Sequence, residues 1–254
     1  MLFRSQVIYF SPEDLDLVRG EPTNRRDFLD KLLITKTPRL AGVLNDYDRV
    51  LKQRNTLLRT RAPQSAIAPW TEQLINFASV ITAERIALVD ALNPLVAANY
   101  QELNEVKKAA IIYKSNIEEL STNTEANQQL ISAKITEVQY QEVERGVTLV
   151  GPHRDDLVLQ LGEFPAKGYA SHGESWSFAI SLKIGALELL KSEGLDPILI
   201  LDDVFAELDT NRRARLVQAT KLAEQTIVTA AVEGDLPTDL NDFRLYVSNG
   251  KVTK

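Results

Sequence analysis

Two adjacent carboxylates, Asp202 and Asp203, close the apolar run Pro197-Ile198-Leu199-Ile200-Leu201. Such a run reads as a buried strand of a parallel sheet, and in open α/β sheets ligands gather outside the carboxyl ends of the strands. Placed there, Asp202 suits a magnesium ion, held largely through water because that ion keeps much of its hydration shell. Asp203 suits the orientation and polarisation of an attacking water. A plain strand end is the other use of the pair, since acidic residues favour turns. Upstream, Ala170-Ser171-His172-Gly173-Glu174-Ser175 is a small-residue turn that runs into the helical pattern Trp176, Ala179, Ile180, Leu182, Ile184, Leu187 and Leu190. Backbone N–H groups and a hydroxyl at a helix start bind anions. Capping by Ser171, with glycine relieving the turn, is the simpler use of the same residues.

The elements that must position these residues follow from hydrophobic spacing. Val7–Phe10 reads as a short strand, and Ser11-Pro12-Glu13-Asp14 as a helix start. Phe28, Leu29, Leu32 and Leu33 mark one apolar helix face that ends near Pro38. Leu40 to Arg61 is a long amphipathic helix. Residues 62–69, with Pro63 and Pro69, break it; a second long helix opens near Thr71, and Pro94 kinks or ends it. The two make an antiparallel helical arm over residues 36–108, without the sustained a/d spacing of a coiled coil. Ala110–Tyr113 is strand-like, and Thr124–Arg145 is a helix ended by Gly146. From Val147 the texture changes to strands (148–150, 157–161, 197–201, 226–230, 244–247) alternating with helices (174–191, 210–224), the pattern of an α/β layer with buried parallel strands.

Composition sets outer limits. The 254 residues carry no cysteine and two histidines, which excludes disulfides, thiolate zinc sites, a cysteine nucleophile and a histidine-rich metal cage. No apolar run approaches the roughly 20 residues of a membrane span, and Met1–Phe10 has Arg4 and Gln6 inside any leader core, so the expected location is cytoplasmic, away from membranes. A net charge of −6 leaves phosphate binding to local patches or to a metal ion. One local patch is Arg49, Lys52, Arg54, Arg59 and Arg61 on the first arm helix: either a solvated face or a DNA-backbone contact, the latter marked by steep salt dependence. Arg25 and Arg26 read as pins holding their helix to the arm or to a carboxylate. His153 reads as a strand-end histidine satisfied by Asp155 or Asp156, or else as a nucleotide or DNA contact. Arg154, flanked by carboxylates, reads as an ion pair or as a group that passes phosphate occupancy between lobes.

Order and spacing join these signals: an SxGE turn with its helix, then the strand with its aspartate pair, then Ala206-Glu207-Leu208-Asp209. In that order the segment resembles the ABC-type ATPases of the SMC-like branch. Ser171-His172-Gly173-Glu174 matches their signature loop, Ile198–Asp203 the Walker B strand, and residues 206–209 the D-loop. Two further segments, FSPEDLDLVRGEPTNRRDFLD at residues 10–30 and GPHRDDL at residues 151–157, are similar to stretches of the RecF family of DNA replication and repair proteins. The likeness covers nearly the whole chain.

The resemblance implies an α/β fold, an incomplete ABC-type ATPase head of the P-loop NTPase kind with an inserted helical arm domain. Residues 1–35 would hold the end of lobe I and the helix joining it to the arm. Residues 36–146 would form a mostly helical arm or lobe II, and residues 147–254 the C-terminal ATPase part. It implies a recombination mediator: an ATP-dependent homodimer that grips single-stranded or gapped duplex DNA, helps load recombinase with RecR and RecO, and supports SOS induction. ATP and Mg2+ are its implied cofactors, and hydrolysis is slow. Asp202 would serve the metal and Asp203 catalysis, in place of the more usual glutamate. Ser171, His172, Gly173, Glu174 and Asp209 would meet nucleotide, the signature loop acting on the γ-phosphate held by the partner protomer. Thr229 stands nearest to where many relatives place a switch histidine, and Arg154 and Asp155 would lie between lobes. No Gly-x-x-x-x-Gly-Lys-Ser/Thr occurs; Gly250-Lys251 has no glycine at the required spacing. The expectation is therefore of a chain lacking a first lobe of roughly a hundred residues with the phosphate cradle, with Met1 internal to the family's length. On its own it should bind ATP poorly and fail to dimerise on it. Two other readings stay open: a non-enzymatic interaction fragment, and the head of another SMC-like ATPase, which would need longer helices flanking residues 61–70.

Overall fold

The computed structural model describes residues 6–103, 106–238, 240, 243–248 and 250–253; Arg4, weighed above within a leader, lies outside them. β1 (Val7–Phe10) leads through a 3-10 turn into α1 (Leu15–Arg19) and α2 (Pro22–Lys36). The arm follows as α3 (Leu40–Arg59) and α4 (Gln64–Leu103). Next come β2 (Ala109–Lys114), α5 (Thr124–Arg145), β3 (Asp156–Leu161), β4 (Phe164–Pro165) and the single turn α6 (Ala166–Tyr169). α7 (His172–Ser192), β5 (Ile198–Asp202), α8 (Thr210–Thr220) and β6 (Thr226–Thr229) complete the α/β layer, and β7 (Tyr246–Ser248) with β8 (Lys251–Thr253) close the chain. No described helix is long and apolar enough to cross a membrane.

Among the described residues, three separate sheets replace the single parallel layer expected. β1, β5 and β6 form a parallel sheet with β5 central; β2, β3 and β4 form an antiparallel one; β7 and β8 are a hairpin apart from both. Residues 148–150 form no strand. The Thr148 N–H donates to Asn55 Oδ1 and the Leu149 N–H to Glu142 Oε1, both 2.7 Å, so side chains take the donors that a ladder would use. β5 is not buried on both faces either. Leu199 and Leu201 face α7 and the core, while Ile198 and Ile200 are only half-buried. Beside them Val7, Tyr9 and Ile227 are 40–44% exposed, which leaves one face of the parallel sheet open.

α4 runs 40 residues with Pro69 and Pro94 inside it, where a break was expected. Each proline forfeits a helical hydrogen bond, but packing on both sides of each carries the helix through. Its first half, through Leu74, Ile75, Ala78 and Ile81, builds the arm core with Tyr47, Val50, Ile131 and Ile135. Its second half, through Leu88, Val89, Leu92, Val96 and Tyr100, joins the head core around Trp176, Phe178 and Leu187 of α7. Gly185 permits the close crossing: a Cβ there would sit 3.4 Å from Leu92 and Val96.

Arg54, expected among the arm's surface cations, is buried instead. It donates to Glu142 Oε2 at 2.6 Å, Thr71 Oγ1 at 2.9 Å and Thr148 Oγ1 at 2.8 Å, tying α3, α4, α5 and the 148 segment together. The charge is matched by a carboxylate that is itself fully buried. Removing one partner of a buried pair leaves the other uncompensated, at a cost on the order of 3–5 kcal/mol. Arg54→Met should therefore lower unfolding free energy by about that amount in urea denaturation. Arg59→Met, on the exposed side of the same helix, should change it by less than about 0.5 kcal/mol. Equal, small losses in both would remove the case for this network as the arm's clasp.

Candidate functional site

At the carboxyl end of β5 the carboxylate of Asp202 is held from both neighbouring strands. Tyr9 on β1 donates its phenol to Oδ2 at 2.5 Å, and Thr229 on β6 donates its hydroxyl to Oδ1. These two bonds, Thr229's first and then Tyr9's, hold the Asp202 carboxyl below its ordinary range, and the same bond raises Tyr9. Asp202 is thus a fixed anion with each oxygen engaged once. Asp203 follows in the left-handed region, φ 54°, a conformation that aspartate tolerates better than most residues. Its Oδ1 accepts from the Ala231 N–H at 3.3 Å and its own N–H donates to Thr229 O at 3.2 Å, so the exposed carboxylate is turned away from its neighbour. No cluster of three or more metal-ligating side chains occurs among the described residues.

The second part of the site is the start of α7. Ser171 accepts from the Glu174 N–H at 3.2 Å, and Glu174 accepts from the Ser171 N–H at 2.8 Å, a reciprocal capping box. Lys107 pairs with Glu174 at 2.6 Å, and this, ahead of the Ser171 bond, holds Glu174 below its usual range. His172 accepts from the Trp176 indole N–H at 3.1 Å. Arg212 ties the start of α7 to that of α8. Asp209 caps α8, accepting from the Arg212 N–H at 3.0 Å and from its guanidinium. That guanidinium also donates to Ser177 on α7 at 2.9 Å, and a Cβ on Gly173 would lie 2.8 Å from it. The structure so brings Gly173 and Ser177 of α7, Asp209 and Arg212 together, while Asp202, Asp203 and Thr229 form a separate group at the sheet end, from which the chain runs through the 3-10 turn Phe205–Glu207 to Asp209. Neither Arg212 nor Tyr9 belongs to a motif that the sequence singles out. Further along α8, Arg213 donates to Leu208 O at 2.9 Å and Arg215 pairs with Glu102 at 3.0 Å.

A third cluster lies where arm and head meet, at Gly151–Asp156. Arg25 grips Asp156 with two bonds of 2.8 and 2.9 Å, Arg26 donates to Asp155 O at 2.9 Å, and Arg85 grips Asp30 twice at 2.8 Å while donating to Pro152 O at 2.7 Å. Arg25 and Arg26 thus pin α2 as expected. Gly151 has φ 128°, and a Cβ there would meet the Tyr47 hydroxyl at 2.6 Å. His153 is satisfied by that hydroxyl at 2.6 Å and by Thr148 O at 3.2 Å, not by a neighbouring carboxylate. Arg154 likewise departs from expectation: it donates to Thr148 O rather than pairing with Asp155 or Asp156. Asp155 is buried, accepts from the Tyr113 hydroxyl at 2.6 Å, and is pushed up by burial.

The remaining arm cations divide by exposure. Arg49 pairs with Asp46 at 2.9 Å but stays exposed, and Lys52, Arg59 and Arg61 are exposed. Gly146, at φ 65°, lets the end of α5 sit against Arg59, which brings exposed Arg145 to the same tip. Its distance in sequence hid it.

No protein-family model matches the chain. It is 45% identical over 260 residues to the DNA replication and repair protein RecF of Streptomyces avermitilis and 44% identical over 263 residues to that of Frankia alni. In each case the match takes in 98% of this chain and 70% of the relative. Among solved structures, the recombination mediator RecF with ATPrS in the RecFOR pathway aligns with a TM-score of 0.87 at 25% identity, and the ATP form with 0.84 at 24%. Both alignments cover 98% of this chain and 67% of the solved one. The α/β fold described here is therefore the fold of those structures.

Burial lowers His153 to about 4, with the Arg154 charge adding to the effect. The unfolded chain then binds a proton between about pH 6.5 and 4 that the folded chain refuses, so this group's contribution to stability falls as pH falls through that window. Asp155, being raised, acts with the opposite sign, and a variant comparison separates the two. His153→Gln should flatten the stability loss between pH 6.5 and 4 by up to about 1.4 kcal/mol per pH unit, measured by urea denaturation across that range. An unchanged slope would mean that His153 is not buried in its neutral form.

Proposed function

Because the chain belongs to the RecF family of DNA replication and repair proteins, we propose that it supplies the signature, Walker B and arm portions of an ATP-dependent, DNA-gripping dimer. In this reading the dimer helps load recombinase at gapped DNA together with RecR and RecO, and supports SOS induction. The observation that carries it is the Arg212 tie, which sets the capped start of α7 beside the D-loop that follows the Asp202–Asp203 pair. Asp202, with hard oxygens each engaged once, suits a hydrated magnesium ion. Bound ATP would supply the phosphoryl group that is transferred. Asp203 orients water, and Ser171 with the N–H groups after it receives phosphate charge from across the dimer. Thr229 acts by holding Asp202. Arg154 and Asp155 belong to the arm–head joint, which would pass closure of the heads to the arm.

The sequence has no Gly-x-x-x-x-Gly-Lys-Ser/Thr, and the parallel sheet has an open apolar face. Both support a head completed by a further lobe that cradles the phosphates. The missing motif also favours a second reading for the chain by itself, a non-enzymatic interaction surface. Calorimetric titration of magnesium-ATP into the 254-residue chain separates the two. No binding tighter than about 1 mM is expected, and micromolar affinity would contradict the need for a further cradle.

Arm binding to DNA has its own test. Lys52→Glu, Arg59→Glu and Arg61→Glu together should weaken binding to a gapped duplex by at least about tenfold. They should also flatten the dependence of log K on log salt by about 0.9 for each DNA phosphate that the arm no longer neutralises. Unchanged affinity and slope would take the arm tip out of DNA binding.

A further inference from the structure

Beside the outer strand of the antiparallel sheet, away from the nucleotide-facing residues, runs a groove of about 770 Å3 between α4 and β2. Its walls are aliphatic: Ile86 from α4, Ile112 and Val158 from the sheet, Ile117 from the segment after β2. Ile112 is 47% exposed. Its rim is acidic. Asp90, Glu118 and Glu119 all line it, against the single cation Lys114. None of these three carboxylates has a hydrogen bond or ion pair to another described residue. At the arm–head joint, by contrast, Asp156 and Asp30 are each gripped by an arginine.

The strand edge adds a main-chain feature. Among the described residues β2 is paired on one side only, with β3. Lys108 O accepts from Gly162 on that side, whereas the Ile111 N–H turns outward to Asn93 Oδ1 at 2.8 Å. Antiparallel alternation then turns the N–H and C=O of Tyr113 outward as well, into the groove. An aliphatic trough, a strand edge and an uncompensated acidic rim together fit an extended chain with apolar side chains on one face and cations on the other. A phosphate backbone would be repelled by the same rim.

We propose that the groove between α4 and β2 docks an extended segment of a partner protein in which aliphatic side chains alternate with lysine or arginine. This inference is independent of the nucleotide reading.

The test uses the full 254-residue chain and a fluorescein-labelled nonapeptide alternating leucine with lysine, followed by fluorescence anisotropy. Binding with Kd of roughly 10–100 μM is expected. Ile112→Ser, and separately Glu118→Lys with Glu119→Lys, should each weaken it by at least about tenfold. Glu72→Lys, on the exposed arm end of α4 and about 20 Å along the helix from Ile86, should leave it within about twofold and so controls for general attraction to an acidic protein. Thermal melts of each variant confirm the fold, since every substituted side chain is exposed. Equal affinity for a leucine–glutamate or a serine–lysine nonapeptide, unchanged affinity in the groove variants, no saturation below about 1 mM, or tighter binding of a single-stranded oligonucleotide that the groove variants abolish would each overturn the proposal.

Discussion

The structure depends on the double burial of α4. One helix serves two hydrophobic cores, the arm's through Leu74 and Ala78 and the head's through Leu92 and Val96. Interiors are close-packed and deform little. The helix therefore cannot slide or roll in one core without disturbing the other. Its crossing with α7 is tight enough that Gly185 stands where a side chain would meet Val96. The orientation of α7, and with it the capped turn at its start, is set by the same contact that sets the arm.

Polar contacts reinforce this constraint where the cores meet. Three arginines, from α2 and α4, converge on the loop from Gly151 to Asp156 and on Asp30. Charged groups buried this way contribute little net stability compared with apolar packing, but they tolerate few alternative arrangements. Tyr47 and Tyr113 complete the joint from α3 and β2 through His153 and Asp155. Four elements from arm and head thus read the position of one short loop.

Much of this was legible in the sequence wherever local signals decided the outcome. α5 spans Thr124–Arg145 and Gly146, with φ 65°, ends it, as the spacing predicts. The Ser171–Glu174 capping box and the β5 strand with its aspartates also stand where the residues place them. What failed depended on partners distant in the chain. Arg54 has the composition of a surface cation until Glu142, 88 residues away, buries it. Thr148-Leu149-Val150 has strand propensity, but Asn55 and Glu142 claim its donors. β3 reads as a strand correctly yet pairs antiparallel with β2, because alternation reveals a strand and not its neighbour. Tyr9 lies 193 residues from Asp202, and no short motif spans that distance.

The two halves of the site are held by different means, and the difference bears on how they work. Asp202 is fixed by the sheet itself, from strands on either side, so its position is as rigid as the hydrogen-bond ladder. The start of α7 is fixed by its capping box, by Arg212 and by Lys107, which lies just beyond α4 and pairs with Glu174. Lys107 thus holds the start of α7 at Glu174, and Arg212 holds it at Ser177. In the proposed function a group that recognises a partner's phosphate needs to be steady when engaged and adjustable before, and ion pairs at a helix end yield more readily than a central strand hydrogen-bonded on both sides. Rigidity at the carboxylates and adjustability at the turn is the division of labour that the proposed function asks for, in which the carboxylates would face a metal in one protomer and the turn a phosphate of the other.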